Sequence, residues 1–259
     1  MNFKEKTVVV TGGSNGIGKQ IIADFIGEGA TVYNLDFIEP KEENRTELRF
    51  IKCDLRDANQ IENAVEEIKK TSKAVDILVN NACFSNKGLL SRCDFKAFND
   101  VLTVGITAPY LLTMGLMEIM PAGKSAIVNI ASTRALMSQA DTESYSAAKG
   151  GIVALTHAMS MSLSGRVRVN AISPGWIDTT GSSFSGADCS QHPAGRVGRP
   201  EDISRMVLFL VGEDANFITG ENIVIDGGMS KQMIYHNDEG WEYKKPCHEN
   251  NIQNNKIDT

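Results

Sequence analysis

Tyr145 and Lys149 lie four residues apart in a stretch of helical pattern, so both side chains project from one face. A tyrosine hydroxyl can give a proton to a ketone or take one from an alcohol when a nearby ammonium favours the phenolate. Ser132 follows an apolar run and could hold the same substrate oxygen, stabilising the charge that develops on it. A Tyr-x-x-x-Lys pair alone is more often two surface residues. What gives it weight here is the rest of the chain.

Near the N-terminus stands Thr11-Gly12-Gly13-Ser14-Asn15-Gly16-Ile17-Gly18, between a predicted strand and a predicted helix. Glycines allow the backbone to turn tightly and approach a pyrophosphate, and the following helix presents free N–H groups and a positive dipole end. Asp36 ends the next strand. An acid there can bond both ribose hydroxyls and would repel a 2′-phosphate. Ser14 and Asn15 in the turn and Phe37 after the acid provide no basic residue for such a phosphate. The combination predicts NAD rather than NADP.

The elements that must position these groups follow from hydrophobic periodicity. Lys6–Thr11, Thr31–Asp36, Arg49–Cys53, Val75–Asn80, Ser125–Ile130, Val167–Ile172 and Asn222–Ile225 read as strands. Helices are predicted from Gly16 onward, around Ile61–Ile68, and over Phe98–Met120, Glu143–Leu163 and Pro200–Val211. The alternation implies a Rossmann-type doubly wound parallel sheet in a three-layer α/β/α arrangement. One domain is expected over residues 1–232. A polar C-terminal tail, 233–259, is expected to be partly ordered at most, with Trp241 and Tyr243 able to dock its front.

Composition narrows the function further. The 259 residues are 42% hydrophobic and 22% charged, with a formal net charge of −6. That is enough for one sizeable core, and it lacks the basic excess of a nucleic-acid binder. The sequence reading finds no stretch long and apolar enough to span a membrane. Five scattered cysteines form no Cys-x-x-Cys, and the four histidines show no ligand spacing, so no metal is expected. Cys247-His248 has no second ligand pair. A reducing, cytoplasmic setting is the default expectation.

The glycine turn is followed in order by Asp54-Leu55, Asn80-Asn81-Ala82, Ser132, Tyr145-x-x-x-Lys149, Pro174-Gly175 and Asp226-Gly227-Gly228. This series resembles the short-chain dehydrogenase/reductase family from Lys4 to about Met229. The resemblance implies an oxidoreductase with Ser132, Tyr145 and Lys149 as its catalytic residues. Lys149 would also hold the nicotinamide ribose. The cofactor would lie on Gly12, Ser14, Asn15, Gly16, Ile17, Gly18, Asp36 and Phe37, with Asp54 and Leu55 beside the adenine. Asn80 and Ala82, Pro174, Gly175 and Ile177 would complete its site, and Thr179 would meet the carboxamide. A homotetramer or homodimer built on the two long helices is also implied.

Two positions depart from the family pattern. Gly105 stands where an asparagine usually helps to hold a relay water, and Cys83 stands where glycine usually follows Asn-Asn-Ala. The carbonyl of Gly105 could still hold a water. Phe84, Arg134, Gln139 and Trp176 are the substrate-pocket candidates, with the stretch 181–195 beside them. They suit a small-molecule substrate such as a steroid, bile acid, sugar or polyol, and Arg134 could bind a carboxylate or a hydroxyl. A 3-ketoacyl-carrier reductase and a non-catalytic NAD-binding sensor are the alternatives.

Overall fold

Val8, Val9 and Val10 are consecutive and all fully buried, as happens in a strand covered on both faces. Val9 packs into a core with α-helical residues on one side of the sheet, and Val8 and Val10 pack into a second core on the other. The computed structural model describes residues 2–40, 45–235 and 237–242. Its strands are β1 (Thr7–Thr11), β2 (Thr31–Asp36), β3 (Leu48–Lys52), β4 (Ile77–Asn80), β5 (Ser125–Ile130), β6 (Val167–Pro174) and β7 (Asn222–Ile225). They form one parallel sheet in the order β3-β2-β1-β4-β5-β6-β7.

The helices are α1 (Gly16–Gly27), α2 (Ala58–Thr71), α3 (Phe95–Leu102), α4 (Ala108–Leu116), α5 (Glu143–Ser162), the short α6 (Ala187–Ser190) and α7 (Pro200–Val211). Ile21, Ile22 and Phe25 of α1 and Ile203, Val207 and Leu210 of α7 fill one core. Ile61, Val65 and Ile68 of α2, Leu112 and Leu116 of α4 and Met159 of α5 fill the other. The strand order reverses direction between β1 and β4. A crevice opens there at the carboxyl ends of the strands, where doubly wound sheets bind ligands.

The structure corrects two expectations. The single helix expected over Phe98–Met120 begins earlier, because the Asp94 side chain accepts from the Ala97 N–H and caps α3. It is then interrupted by a π-helical turn at Thr103–Thr107. The helical run Phe95–Ile119 also has the length and mean hydropathy, 1.4, of a membrane span, contrary to the sequence reading. One face of the run serves the core, with Val101, Ala108, Leu112 and Leu116 fully buried, while Phe95, Tyr110 and Met114 are exposed. After β7, single 3₁₀ turns occur at Met229–Lys231 and Asp238–Gly240. Tyr243, Cys247 and His248 lie outside the described residues.

Candidate active site

A cleft of ≈ 1410 Å³ lies over the carboxyl ends of the strands. That exceeds the roughly 300–1,000 Å³ of a typical small-ligand pocket and leaves room for a dinucleotide and a second molecule. One end is built from the glycine turn and the ends of β2 and β3. The other is built from the ends of β4, β5 and β6 and the N-terminal part of α5.

At the first end Gly12 and Gly16 have φ of 66° and 54°, in the left-handed region that side chains disfavour. A Cβ at Gly12 would lie 2.9 Å from the Ala82 backbone. The Asn15 side chain makes no capping bond at the start of α1, and no acid occupies the helix's first turn. Its N-terminal N–H groups are thus left for an anion such as a pyrophosphate. Asp36 is buried, and its two carboxylate oxygens accept from the backbone N–H groups of Ser14 at 3.0 Å and Ile38 at 3.1 Å. Each oxygen keeps a further lone pair for a ribose hydroxyl. Arg56 brings a positive charge to this end, but its guanidinium grips Asp54 through Nε and Nη2 at 2.5–3.1 Å and comes within 3.9 Å of Asp100. Those hydrogen bonds hold the Asp54 carboxyl below the usual carboxylate range, although partial burial opposes the shift. Arg56 is therefore neutralised by acids of the protein. These residues fit NAD.

At the second end Ser132, Tyr145 and Lys149 all line the cleft. The backbone N–H of Arg134 donates to Ser132 Oγ at 3.2 Å. This uses an acceptor site of the serine and leaves its O–H free to donate to a substrate oxygen. Among the described residues no protein group bonds the Tyr145 hydroxyl. Lys149 is buried, with Nζ 5.5 Å from the centre of the Tyr145 ring. It donates one N–H to the Ile130 carbonyl at 2.6 Å, leaving two of its three donors for ligands. The helix is held in place by a buried polar chain. Asn80 Nδ2 donates to Asn129 Oδ1 at 2.8 Å, and Asn129 Nδ2 donates to Thr156 Oγ1 at 2.9 Å. These bonds tie β4 to β5 and β5 to α5.

The two departures from the family pattern lie beside one another. A Cβ on Gly105 would lie 2.9 Å from the Ala148 Cβ and 3.4 Å from Cys83 Sγ. The glycine sits in the π-helical turn and lets that turn approach α5 beside Lys149, while the Cys83 thiol fills the neighbouring space.

The cleft gathers Gly12, Asn15, Gly16, Ile17, Asp36, Phe37, Asp54, Leu55, Ala82, Pro174, Gly175, Ile177 and Thr179, as the sequence predicts. All four substrate-pocket candidates, Phe84, Arg134, Gln139 and Trp176, also line it. Ser14, Gly18 and Asn80 lie behind the wall rather than on it. Ser14 Oγ donates instead to the Ile38 carbonyl at 2.6 Å. Gly18 lets α1 approach the turn, since a Cβ there would lie 2.2 Å from the Gly12 carbonyl oxygen. Asn80 is turned into the sheet, towards Asn129. Gln191, from the stretch 181–195, lines the wall, as do Arg56, Asn81, Met137 and Met229, which the sequence did not single out as site residues. Asn81 had a signal, its place beside Asn80 in the motif. Its Nδ2 bonds the Thr11 and Gly12 carbonyls, each at 3.0 Å.

An open parallel sheet with a glycine turn at one end of a crevice and a Ser-Tyr-Lys group at the other is the arrangement of an oxidoreductase. Residues 12–230 match the family model described as enoyl-(acyl carrier protein) reductase. An uncharacterized oxidoreductase of Thermotoga maritima is 40% identical, over 89% of this chain and 98% of its own length. A 3-oxoacyl-[acyl-carrier-protein] reductase of Vibrio harveyi is 32% identical, over 88% of this chain and 99% of its own. Among solved structures, an apo SCOR enzyme from Clostridium thermocellum is 46% identical with a TM-score of 0.86, covering 93% of this chain and 99% of that one. A 4-hydroxyisoleucine dehydrogenase complexed with NADH is 28% identical with a TM-score of 0.81, covering 88% and 100%. The chain belongs to the short-chain dehydrogenase/reductase family.

Proposed function

We propose that the protein is an NAD(H)-dependent dehydrogenase that interconverts a secondary alcohol and a ketone. The observation that carries this reading is the unpartnered Tyr145 hydroxyl, in one cleft with Ser132 and Lys149 and with Asp36 at the far end. When bound, the nicotinamide takes or gives the hydride. In the oxidation direction Tyr145 takes the hydroxyl proton as the C–H bond gives up its electron pair and the carbonyl forms. Ser132 donates to the oxygen and steadies its developing charge. Lys149 offers its remaining N–H groups to the cofactor ribose. Asp36 receives the ribose hydroxyls at the other end and disfavours a 2′-phosphate. The NADH complex of the 28%-identical 4-hydroxyisoleucine dehydrogenase supports the choice of cofactor. The test is a panel of alcohols and ketones, including sugars, polyols, steroids and hydroxy acids, followed by NADH absorbance. Turnover with NADPH alone, or with none of the panel, would count against the reading.

A second reading, reduction of 3-oxoacyl thioesters, is favoured by the relatives of that name at 30–32% identity. It requires acetoacetyl thioester reduction to exceed that of every free ketone tested.

A further inference from the structure

We propose that the substrate carries a carboxylate a few bonds from its reacting carbon, and that Arg134 binds it. The proposal rests on the reading of the β5–β6 end of the cleft as the substrate site.

Arg134 stands in the 3₁₀ turn Thr133–Ala135 immediately after Ser132. The bond from its own N–H to Ser132 Oγ fixes its backbone beside the group that meets the reacting oxygen. Its side chain lines the cleft, half-buried, and its Nη2 donates to Gln139 Oε1. Gln139 is neutral, so it orients the guanidinium without cancelling its charge. Among the described residues no carboxylate pairs with Arg134. The other arginine on the cleft wall, Arg56, is bound to Asp54, and Arg196, beyond the cleft wall, is bound to Asp202 through both terminal nitrogens at 2.7 Å.

The distribution of charge along the cleft points the same way. Its wall carries two carboxylates, Asp36 and Asp54, both at the ribose-adenine end. The reacting end carries two cations, Arg134 and Lys149, whose side-chain partners are a glutamine oxygen and a backbone carbonyl. Such an end attracts anions and repels cations. A guanidinium with its outer edge free is matched in shape by a carboxylate, which it can bind through two parallel N–H···O bonds. Phe84 and Trp176 provide apolar surface for the carbon chain. A hydroxy acid and its keto acid therefore fit this end better than a neutral alcohol of the same length.

The test uses 2-oxobutanoate, 3-oxobutanoate, 4-oxopentanoate and 5-oxohexanoate, each beside its methyl ester, with the full-length protein. Binding to the protein–NADH complex is measured by titration, and turnover by NADH oxidation. At least one acid is expected to bind about tenfold to hundredfold more tightly than its ester, the range for a hydrogen bond to a charged group. Arg134→Gln should abolish that preference, bringing acid and ester to similar affinity, and Arg134→Lys should restore part of it. No acid preferred over its ester, or a preference that survives Arg134→Gln, overturns the proposal. Acid binding that depends on Arg134 without turnover of any acid or alcohol would uphold the anion site and overturn the dehydrogenase reading. The two failures are thereby distinguished.

Discussion

The two ends of the cleft use charge differently. At the ribose-adenine end Asp36 already accepts from two backbone N–H groups, and Asp54 is paired with Arg56. The frame fixes these groups before a ligand arrives, so little ordering remains to be done on binding. At the reacting end Tyr145 has no hydroxyl partner among the described residues, and Lys149 and Arg134 bond only neutral oxygens. The first end is set by backbone geometry and can be shared by enzymes with different substrates. The second presents free donors, and the ligand must complete them.

The largest expected effect lies at the reacting end. Tyr145→Phe keeps the ring and removes the hydroxyl, so turnover should fall by about two to four orders of magnitude, the usual contribution of an acid–base group. NADH affinity should stay nearly constant, because the change leaves the other end untouched. Single-turnover kinetics beside a fluorescence titration would separate the two. Turnover equal to that of the unmodified protein would contradict the role of Tyr145.

The converse change is Asp36→Ala with Phe37→Arg. It should lower NADH affinity by about tenfold to hundredfold, the range for hydrogen bonds to a charged group, and improve NADPH binding. The rate of the chemical step with bound cofactor should change little. If that step slowed as much as in Tyr145→Phe, the two ends would not be independent.

Gly105 tests the frame of the reacting end. An asparagine there would bring its Cβ within 2.9 Å of Ala148 and 3.4 Å of Cys83. Overpacking of this kind costs about 1–3 kcal/mol. Gly105→Asn should therefore unfold at lower denaturant concentration, and adding Cys83→Gly should recover part of the loss. A single variant as stable as the unmodified protein would mean that α5 yields easily at this point.

A smaller effect concerns Cys53, whose thiol burial pushes up to about 12, with Asp54 and Asp57 adding to the shift. Between pH 7 and 9 it should resist alkylation, while the less buried Cys93 and Cys189 react first. Rapid labelling of Cys53 in the native protein would show that the β3 end of the cleft opens.

Much of this arrangement was legible in the sequence, for physical reasons. Thr31–Asp36, Ser125–Ile130 and Asn222–Ile225 are short apolar runs, and Pro200–Val211 starts at a proline suited to a helix's first turn. The structure gives all four the bounds that the sequence predicts. The glycine turn and Tyr145-x-x-x-Lys149 were legible because each must be local in sequence to work. Side-chain direction was less accessible. The motifs do not announce that Ser14 Oγ bonds the Ile38 carbonyl, that Gly18 lets α1 approach the turn, or that Asn80 Nδ2 bonds Asn129. The π-helical turn at Thr103–Thr107 leaves no periodic trace. Gly105 and Cys83 are neighbours on separate elements, so neither departure could be interpreted alone. Met229 reaches the wall from a single 3₁₀ turn with no pattern to announce it.

The central claim is that the frame itself, through Asp36, selects NAD(H) while the reacting end awaits its substrate. The most direct measurement is a pair of dissociation constants, for NADH and for NADPH, on the unmodified protein at one ionic strength. The account expects NADH to bind at least about tenfold more tightly, since an acid bonded to two backbone N–H groups can accept ribose hydroxyls and opposes a 2′-phosphate. Equal affinities, or tighter binding of NADPH, would contradict it.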